Sequence, residues 1–173
     1  MQNRIIALVG ESGSGKSTIA ELLGKEGLKN IQSFTTRKPR YEGEKGHIFT
    51  TKKQYECNKA NNTIVAETLF DGNYYWTTKG QLNGECVYII DPVGVKELKE
   101  KVKDVEIVVI YLKCYAPDRY ERMKLRGDSI ETSRERIKHD KEAFKIVSCD
   151  YCIDANRSIE EVLKDVKSII DMI

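Results

Sequence analysis

The stretch GESGSGKS at positions 10–17 decides the fold, because it fits the GxxxxGK[ST] pattern of a phosphate-binding loop. It follows directly on the apolar run IIALV at positions 5–9 and precedes a stretch with helical periodicity. Glycines allow successive backbone N–H groups to surround a polyphosphate, and the start of the following helix adds a partial positive charge. The order of strand, loop and helix therefore predicts a site for a nucleoside triphosphate.

Each part of this loop has a predicted role. Lys16 can reach the outer phosphates, and the hydroxyl of Ser17 can bind Mg²⁺. The alternative is a glycine-rich turn with a chance lysine, but the pattern is complete and has the required context. The residues of the loop and helix start that we predict to bind ATP are Gly10, Ser12, Gly13, Ser14, Gly15, Lys16, Ser17 and Thr18.

Strand-like and helix-like stretches alternate along much of the chain. The apolar runs that predict buried strands are Ile5–Val9, Val87–Ile90 and Ile107–Leu112, with Ile31–Phe34 and Tyr151–Ile153 as shorter candidates. Helical periodicity is found in Lys16–Lys25, Val93–Val102 and Ile159–Ile170. This alternation predicts the α/β class, with a parallel sheet covered by helices on both faces in a three-layer P-loop NTPase fold.

Two segments depart from the alternation. Residues from about 35 to 83 are rich in Thr, Asn, Tyr and Gly, and they predict an inserted small α+β lobe. Residues 119–145 are helical in pattern and strongly charged, which predicts a mobile helical lid. The chain of 173 residues is thus predicted to form a single domain over 1–173, with its core at 1–34, 84–118 and 146–173.

The composition excludes several classes of protein. A net charge of +2 is too small to predict a nucleic-acid partner. No apolar run approaches the roughly 20 residues of a membrane span, and the N-terminus is too weakly apolar for a signal peptide. Five cysteines without a framework are typical of reduced thiols in the cytoplasm. Cys149 and Cys152 form a CxxC, but a zinc site needs a second pair, so we interpret them as incidental thiols.

The basic stretch SFTTRKPR at positions 33–40 indicates a second phosphate site. Arginine suits a phosphate monoester because its planar fork donates two hydrogen bonds at once, and Pro39 fixes the backbone beside Arg40. A solvated basic turn is the alternative for this string alone. The chain has no guanine-reading NKxD for a GTPase switch, so two phosphate sites favour a small-molecule kinase.

Several motifs in this order resemble those of the guanylate kinase family, over about residues 5–170. After the phosphate-binding loop come Ser33, TTRKPR at 35–40, Gly43-Glu44, Glu67 before FDGNYYWT, YIIDPVG at 88–94, RMKLRG at 122–127, Arg136 and Asn156. The resemblance implies transfer of the terminal phosphoryl group of ATP to GMP, and to dGMP, with Mg²⁺ as the cofactor. ATP and GMP are then the small-molecule partners, with no nucleic acid or membrane, and the oligomeric state stays open.

The resemblance also implies roles for individual residues. Arg37, Arg40 and Tyr75 would hold the acceptor phosphate, while Ser33, Glu67, Thr77 and Asp91 would surround the guanine base. Arg122, Arg126 and Arg136 would close from the lid, and Asn156 would lie near the adenine of ATP. The catalytic set is Lys16, Arg37, Arg126 and Arg136. Phosphoryl transfer needs mainly alignment and positive charge, which such a set provides.

Three departures from the family keep alternatives open. His47 stands where the family has a tyrosine, so we count it among the acceptor-binding residues. The connecting loop GEKGHIF is shorter than in the family, and Trp76 replaces a glycine beside the acceptor pocket. A kinase of the same fold with another phosphorylated acceptor is the first alternative. A non-catalytic interaction module is the second, although it would not need an intact phosphate-binding loop. Asp91 could also simply cap the helix that starts near Pro92.

Overall fold

Within residues 3–39 and 42–173, which the computed structural model describes, the chain forms nine strands and six α-helices. The elements are β1 Arg4–Val9, α1 Lys16–Lys25, β2 Lys29–Ile31, β3 Ser33–Thr35, β4 His47–Phe49, α2 Lys52–Ala60, β5 Ile64–Phe70, β6 Asn73–Thr78, β7 Glu85–Ile89, α3 Pro92–Lys101, β8 Glu106–Lys113, α4 Ala116–Leu125, α5 Ile130–Ala143, β9 Tyr151–Asp154 and α6 Ile159–Met172. A short 3-10 turn at Lys79–Gln81 precedes β7.

Five parallel strands form the main sheet, in the order β2-β7-β1-β8-β9. The central strand β1 sends Ile6 and Leu8 to one face, where they pack with apolar residues of α1 and α6. It sends Ile5, Ala7 and Val9 to the other face, where they pack with residues of α3. The sheet is therefore covered on both faces, and the predicted three-layer α/β fold is confirmed.

Local sequence signals explain where helices begin at the carboxyl edge of this sheet. Asp91 caps α3 by accepting from the N–H of Gly94, and Pro92 occupies the first helical position. Ser158 and Glu161 form a reciprocal capping box at the start of α6. Both helices start just after a strand ends, so this edge of the sheet brings several loops together.

The predicted strand Ile31–Phe34 is wrong as a single element. The chain leaves the main sheet after Ile31, which pairs with Tyr88 of β7, and Gln32 separates β2 from β3. Phe34 belongs instead to a second, four-stranded sheet in the order β4-β3-β6-β5, where it pairs with Trp76. The apolar run does not reveal that its two halves join different sheets, because a strand that packs against a core is apolar in either sheet.

Aromatic side chains hold the second sheet against α2. Trp76 is buried, and its ring centroid lies 5.4 Å from that of Phe34 and 5.2 Å from that of Tyr55. Tyr55 also stacks on Tyr74 at 4.0 Å. Trp76 is thus a core residue of the lobe and does not line the acceptor cavity.

No helix in the described part of the chain is long and apolar enough to span a membrane.

Candidate active site

The phosphate-binding loop connects β1 to α1 in a tight path. Gly13 and Gly15 have φ angles of 80° and 98°, in the region that favours glycine. A Cβ atom on Gly10 would lie 2.8 Å from the carbonyl oxygen of Leu112 on the neighbouring strand β8. The glycines are therefore required by the backbone path itself, which places the loop against the edge of the sheet.

Lys16 follows the loop at the start of α1. Its Nζ donates to the carbonyl oxygen of Glu11 at 2.8 Å and lies 3.4 Å from the Oγ atom of Ser14. Desolvation of the amine lowers the pKa of Lys16 to about 8, although the carboxylates of Asp140 and Glu11 act in the opposite direction. The lysine side chain is thus folded back onto its own loop.

A cavity of about 780 Å³ opens beside this loop. It brings together most of the predicted ATP-binding residues, with the loop on one side and the lid helices α4 and α5 on the other. In this cavity lie Ser12, Gly13, Ser14, Gly15, Lys16, Ser17, Thr18, Arg122, Arg126 and Arg136. The guanidinium of Arg122 donates to the carbonyl oxygen of Ala155 at 2.8 Å, and Arg126 pairs with Asp128 at 2.6 Å. The cavity is strongly positive, as a triphosphate site requires.

Asn156 occupies a different position from the other predicted ATP-binding residues. Its side chain accepts from the N–H of Tyr115 and donates to Asp154, so it fixes the turn between β9 and α6. The next residue, Arg157, lines the large cavity instead. Arg157 was missed from the sequence, because one arginine in a polar turn has no local signal that distinguishes it.

A second cavity, of about 270 Å³, lies between the main sheet and the second sheet. It brings together predicted acceptor-binding residues from several elements, namely Ser33, His47, Glu67, Tyr75 and Asp91, and it also includes Gly10 and Lys16. Tyr88, His139 and Phe144 are among its further lining residues and were not predicted. Lys16 lines both cavities, so the two adjoin at this residue.

Three hydroxyl groups form a network behind this cavity. Tyr88 and Thr77 are joined by a hydrogen bond of 2.5 Å, and the Oγ atom of Ser33 lies 3.3 Å from the hydroxyl of Tyr88. Thr77 is fully buried and does not line the cavity, so it acts on Ser33 from behind. The network orients the Ser33 hydroxyl, and Ser33 itself lines the cavity.

Two residues of α2 hold the carboxylate of Glu67. The hydroxyl of Tyr55 donates to it at 2.5 Å, and the ammonium of Lys59 donates to it at 3.2 Å. Partial burial alone would raise the pKa of Glu67, but these two donors lower it below its usual value. Glu67 is therefore ionised and fixed in orientation. Neither Tyr55 nor Lys59 was predicted, because α2 is remote from Glu67 until the lobe folds.

The carboxylate of Asp91 has two partners. One oxygen accepts from the N–H of Gly94 at 2.7 Å, and the other accepts from the hydroxyl of Thr68 at 2.7 Å. The helix cap that we considered as an alternative is thus present, but Asp91 also lines the acceptor cavity. The bond to Thr68 joins the edge of the main sheet to β5 of the second sheet.

Arg37 and His47 lie at the other side of the acceptor region. Arg37 forms a two-pronged ion pair with Glu44, at 2.8 and 3.2 Å. His47 contacts the ring of Tyr75 at a centroid distance of 5.4 Å. A cavity of about 620 Å³ links Arg37 and His47 to Ser17 at the phosphate-binding loop. Arg40, the second predicted arginine, lies outside the described residues.

A buried ion pair between the two lid helices was also missed from the sequence. Arg119 of α4 and Asp140 of α5 are 3.0 Å apart, and each is only 5% exposed. The carboxylate of Asp140 accepts from the backbone N–H of Ser12 in the phosphate-binding loop at 2.8 Å. The two residues are 21 positions apart, and each is ordinary in a charged helix, so no sequence pattern connects them.

The described residues contain no group of three or more His, Cys, Asp or Glu side chains that could hold a metal ion. Cys149 and Cys152 are free thiols, one half-buried and one exposed. Their role as incidental thiols stays a prediction. The oxygen donor predicted for Mg²⁺, the Ser17 hydroxyl, is exposed in the first turn of α1 beside the phosphate-binding loop.

Comparisons with known proteins agree with this architecture. Residues 6–145 match the sequence profile of the family described as the AAA domain. No curated protein matches the chain in sequence. The crystal structure of guanylate kinase from Anaplasma phagocytophilum has a similar fold, with a TM-score of 0.69 and 20% identity, covering 99% of this chain and 87% of that chain. The likeness shows that the fold is that of a guanylate kinase-like P-loop protein.

Proposed function

The chain belongs to the AAA domain family, and on that premise we propose that it is a nucleoside monophosphate kinase, transferring the γ-phosphoryl group of ATP to GMP. One observation carries the proposal. Lys16 lies where two cavities meet, one lined by the phosphate-binding loop and arginines, the other by Ser33, Glu67 and Asp91. A phosphoryl group bound at Lys16 would therefore have a donor site on one side and an acceptor site on the other.

The proposed reaction needs little from the protein beyond position and charge. An oxygen of the acceptor phosphate forms a bond to the γ-phosphorus, and the bond to the bridging oxygen of ADP breaks. No general base is required, because the acceptor phosphate is already an anion. The positive groups of the large cavity, Lys16, Arg122, Arg126 and Arg136, stabilise the charge on the transferred group.

Mg²⁺ would enter with the triphosphate as part of the substrate. Ser17 fits this role, since its hydroxyl is exposed at the cavity and Mg²⁺ prefers a few protein oxygens completed by phosphate and water. When bound, the ion supplies positive charge to the phosphate oxygens.

The five cysteines are all free thiols, which supports our proposal that the enzyme works in the reducing cytoplasm.

The chemistry of the acceptor cavity supports guanine as the base. Guanine presents two neighbouring donors, N1–H and the 2-amino group, with the O6 acceptor beside them. The ionised carboxylate of Glu67 has about four acceptor positions. Its Oε2 atom accepts from Tyr55 and, at 3.4 Å, from Lys59, whereas its Oε1 atom accepts from Lys59 at 3.2 Å and keeps a position for a guanine donor. The hydroxyl of Ser33 can donate to O6.

The proposal is tested by an acceptor screen. Purified protein with ATP and Mg²⁺ is mixed with GMP, dGMP, AMP, CMP, UMP or ribose 5-phosphate, and ADP release is measured. We expect GMP and dGMP to be used in strong preference, because a site built for hydrogen bonds rejects an analogue that lacks them by up to about 10⁴-fold. If ribose 5-phosphate were preferred, the acceptor would be a sugar phosphate and not GMP. No ADP release with any of them would contradict the kinase proposal.

Replacing Tyr55 by phenylalanine should weaken GMP binding specifically. The substitution keeps the ring that stacks on Tyr74 but removes the hydroxyl that donates to Glu67. A hydrogen bond to a charged group is worth about 1.5–3 kcal/mol, so we expect the KM for GMP to rise roughly tenfold or more while the KM for ATP stays constant. Steady-state kinetics measure both.

The matched control is Tyr74→Phe, which removes a hydroxyl from the stacked neighbour of Tyr55. We expect it to leave the KM for GMP within about twofold. Equal changes in the two variants would mean that Tyr55 only supports the packing of the lobe.

A further inference from the structure

A backbone segment of the phosphate-binding loop is held by the lid helices. The N–H of Ser12 donates to Asp140 at 2.8 Å, and the carbonyl oxygen of Ser12 accepts from Arg119 at 3.3 Å. The Arg119–Asp140 pair itself closes at 3.0 Å. Both backbone groups of one loop residue are therefore bonded to side chains from α4 and α5, which are the helices predicted as a mobile lid.

The backbones of the loop and of α4 are also in close contact. A Cβ atom on Gly13 would lie 2.7 Å from the carbonyl oxygen of Arg119 and 3.2 Å from its Cα atom. Only glycine therefore allows α4 to approach the loop this closely. The contact is independent of the ion pair, and it shows that the base of the lid packs against the loop along two residues.

The presence of a buried carboxylate here needs an explanation. Asp140 is 5% exposed and lies beside a loop that binds phosphates, where a negative charge disfavours the ligand. Arg119, equally buried, neutralises it. A pair of apolar side chains would fill the space at no electrostatic cost, since buried ion pairs are often replaceable in this way. What an apolar pair lacks is an acceptor for the N–H of Ser12.

We propose that Arg119 and Asp140 are positioning residues that bind Ser12 and so fix the base of the α4–α5 lid to the phosphate-binding loop. The lid carries Arg122, Arg126 and Arg136 into the same cavity as the loop. The anchor keeps these arginines and the loop in one fixed arrangement before ATP arrives. Nucleotide binding then requires little further ordering of the loop and the lid at this position.

The proposal concerns ATP binding alone and holds whichever acceptor the enzyme uses. It differs from a purely structural ion pair in one respect. In a structural pair the two charges matter only to each other, and restoring the pair in any form restores function. In the proposed anchor, ATP affinity also depends on the Asp140 oxygen that accepts the hydrogen bond from the N–H of Ser12.

The first measurement needs no substitution. Hydrogen exchange of the Ser12 amide, followed by NMR in the nucleotide-free protein, should be slowed at least about tenfold relative to an unstructured amide, because it is bonded to a buried carboxylate. Exchange at the unprotected rate would overturn the anchor.

The second measurement compares variants by calorimetric titration with ATP and Mg²⁺. Asp140→Leu removes the acceptor and should raise the Kd by roughly tenfold to a hundredfold, the size of a hydrogen bond to a charged group. Asp140→Asn keeps an acceptor oxygen and should raise the Kd less. Asp150→Asn is the matched control, because Asp150 also accepts from a backbone N–H at 2.8 Å, but at β8 and outside both main cavities.

The charge swap Arg119→Asp with Asp140→Arg separates the two interpretations. It restores an ion pair, so its melting temperature should exceed that of either single variant. It offers Ser12 N–H only donors from position 140, so the Kd for ATP should stay raised. A swap that restored both stability and ATP affinity would show a structural pair and overturn the proposal, as would wild-type affinity in Asp140→Leu.

Discussion

Replacing Lys16 by alanine is expected to lower phosphoryl transfer by at least about 10³-fold. Lys16 lines both cavities, and in the proposed reaction its charge would act on the transferred phosphoryl group. Removing one preorganised positive group or donor at such a position costs about 10²–10³ in turnover, and more where charge develops on a phosphoryl group. ADP release at saturating ATP and GMP measures the effect.

The fold should survive this change. Among the described residues, the Nζ atom of Lys16 bonds to Glu11 and Ser14 of its own loop, so its removal breaks no hydrogen bond to the rest of the fold. Lys96→Ala, on the exposed side of α3, is the matched control and should keep native turnover. Near-native turnover in Lys16→Ala, with unchanged melting behaviour, would rule out the kinase proposal.

Replacing Glu67 by glutamine should have the second largest effect. The substitution keeps the size of the side chain but places an amide donor opposite a guanine donor, and it weakens the bonds from Tyr55 and Lys59. Glutamine at position 67 would lose the charge-assisted hydrogen bond to guanine and leave a guanine donor unpaired. We therefore expect a loss of about 10²-fold in kcat/KM for GMP. The KM for ATP should be unchanged.

The ratio of GMP to AMP use makes this test specific. In the proposed complex the ionised carboxylate would face guanine donors, whereas adenine would present an acceptor, its N1, to the same oxygens. Glu67→Gln should therefore reduce the preference as well as the rate. Glu100→Gln, an exposed acid on α3, serves as the control. Unchanged GMP turnover in Glu67→Gln would show that Glu67 does not read the base.

The parts of the fold that follow from short-range patterns were predictable. The run Ile5–Val9, the loop at 10–17 and the helix Lys16–Lys25 were each placed correctly, because a buried parallel strand, a glycine-rich turn and an amphipathic helix have local signatures. The split at Gln32 was not predictable, since it depends on which sheet offers a partner to each half of an apolar run.

The candidate site likewise contains residues that could be predicted from the sequence and residues that could not. The loop residues and the lid arginines share one cavity, as their motifs suggested, and Ser33, Glu67 and Asp91 share the other. The roles of these residues stay predictions. Supporting groups such as Tyr55 and Asp140 could not be found from the sequence, because their partners are brought to them only by tertiary packing. The bond between Asp140 and Ser12 joins residues 128 positions apart.

The path of the chain between the two sheets has an evolutionary consequence. The second sheet, built from residues 33–78, leaves the main sheet after β2 and returns at β7, and these two strands are direct neighbours. Entry and exit thus lie side by side in one half of the main sheet, where β7 also pairs with β1, the central strand that precedes the phosphate-binding loop. On the proposed function, changes in the inserted sheet would alter the acceptor and leave the strand and loop that bind ATP unchanged. Diversification of acceptors within one lineage then requires changes in a single contiguous stretch of the gene.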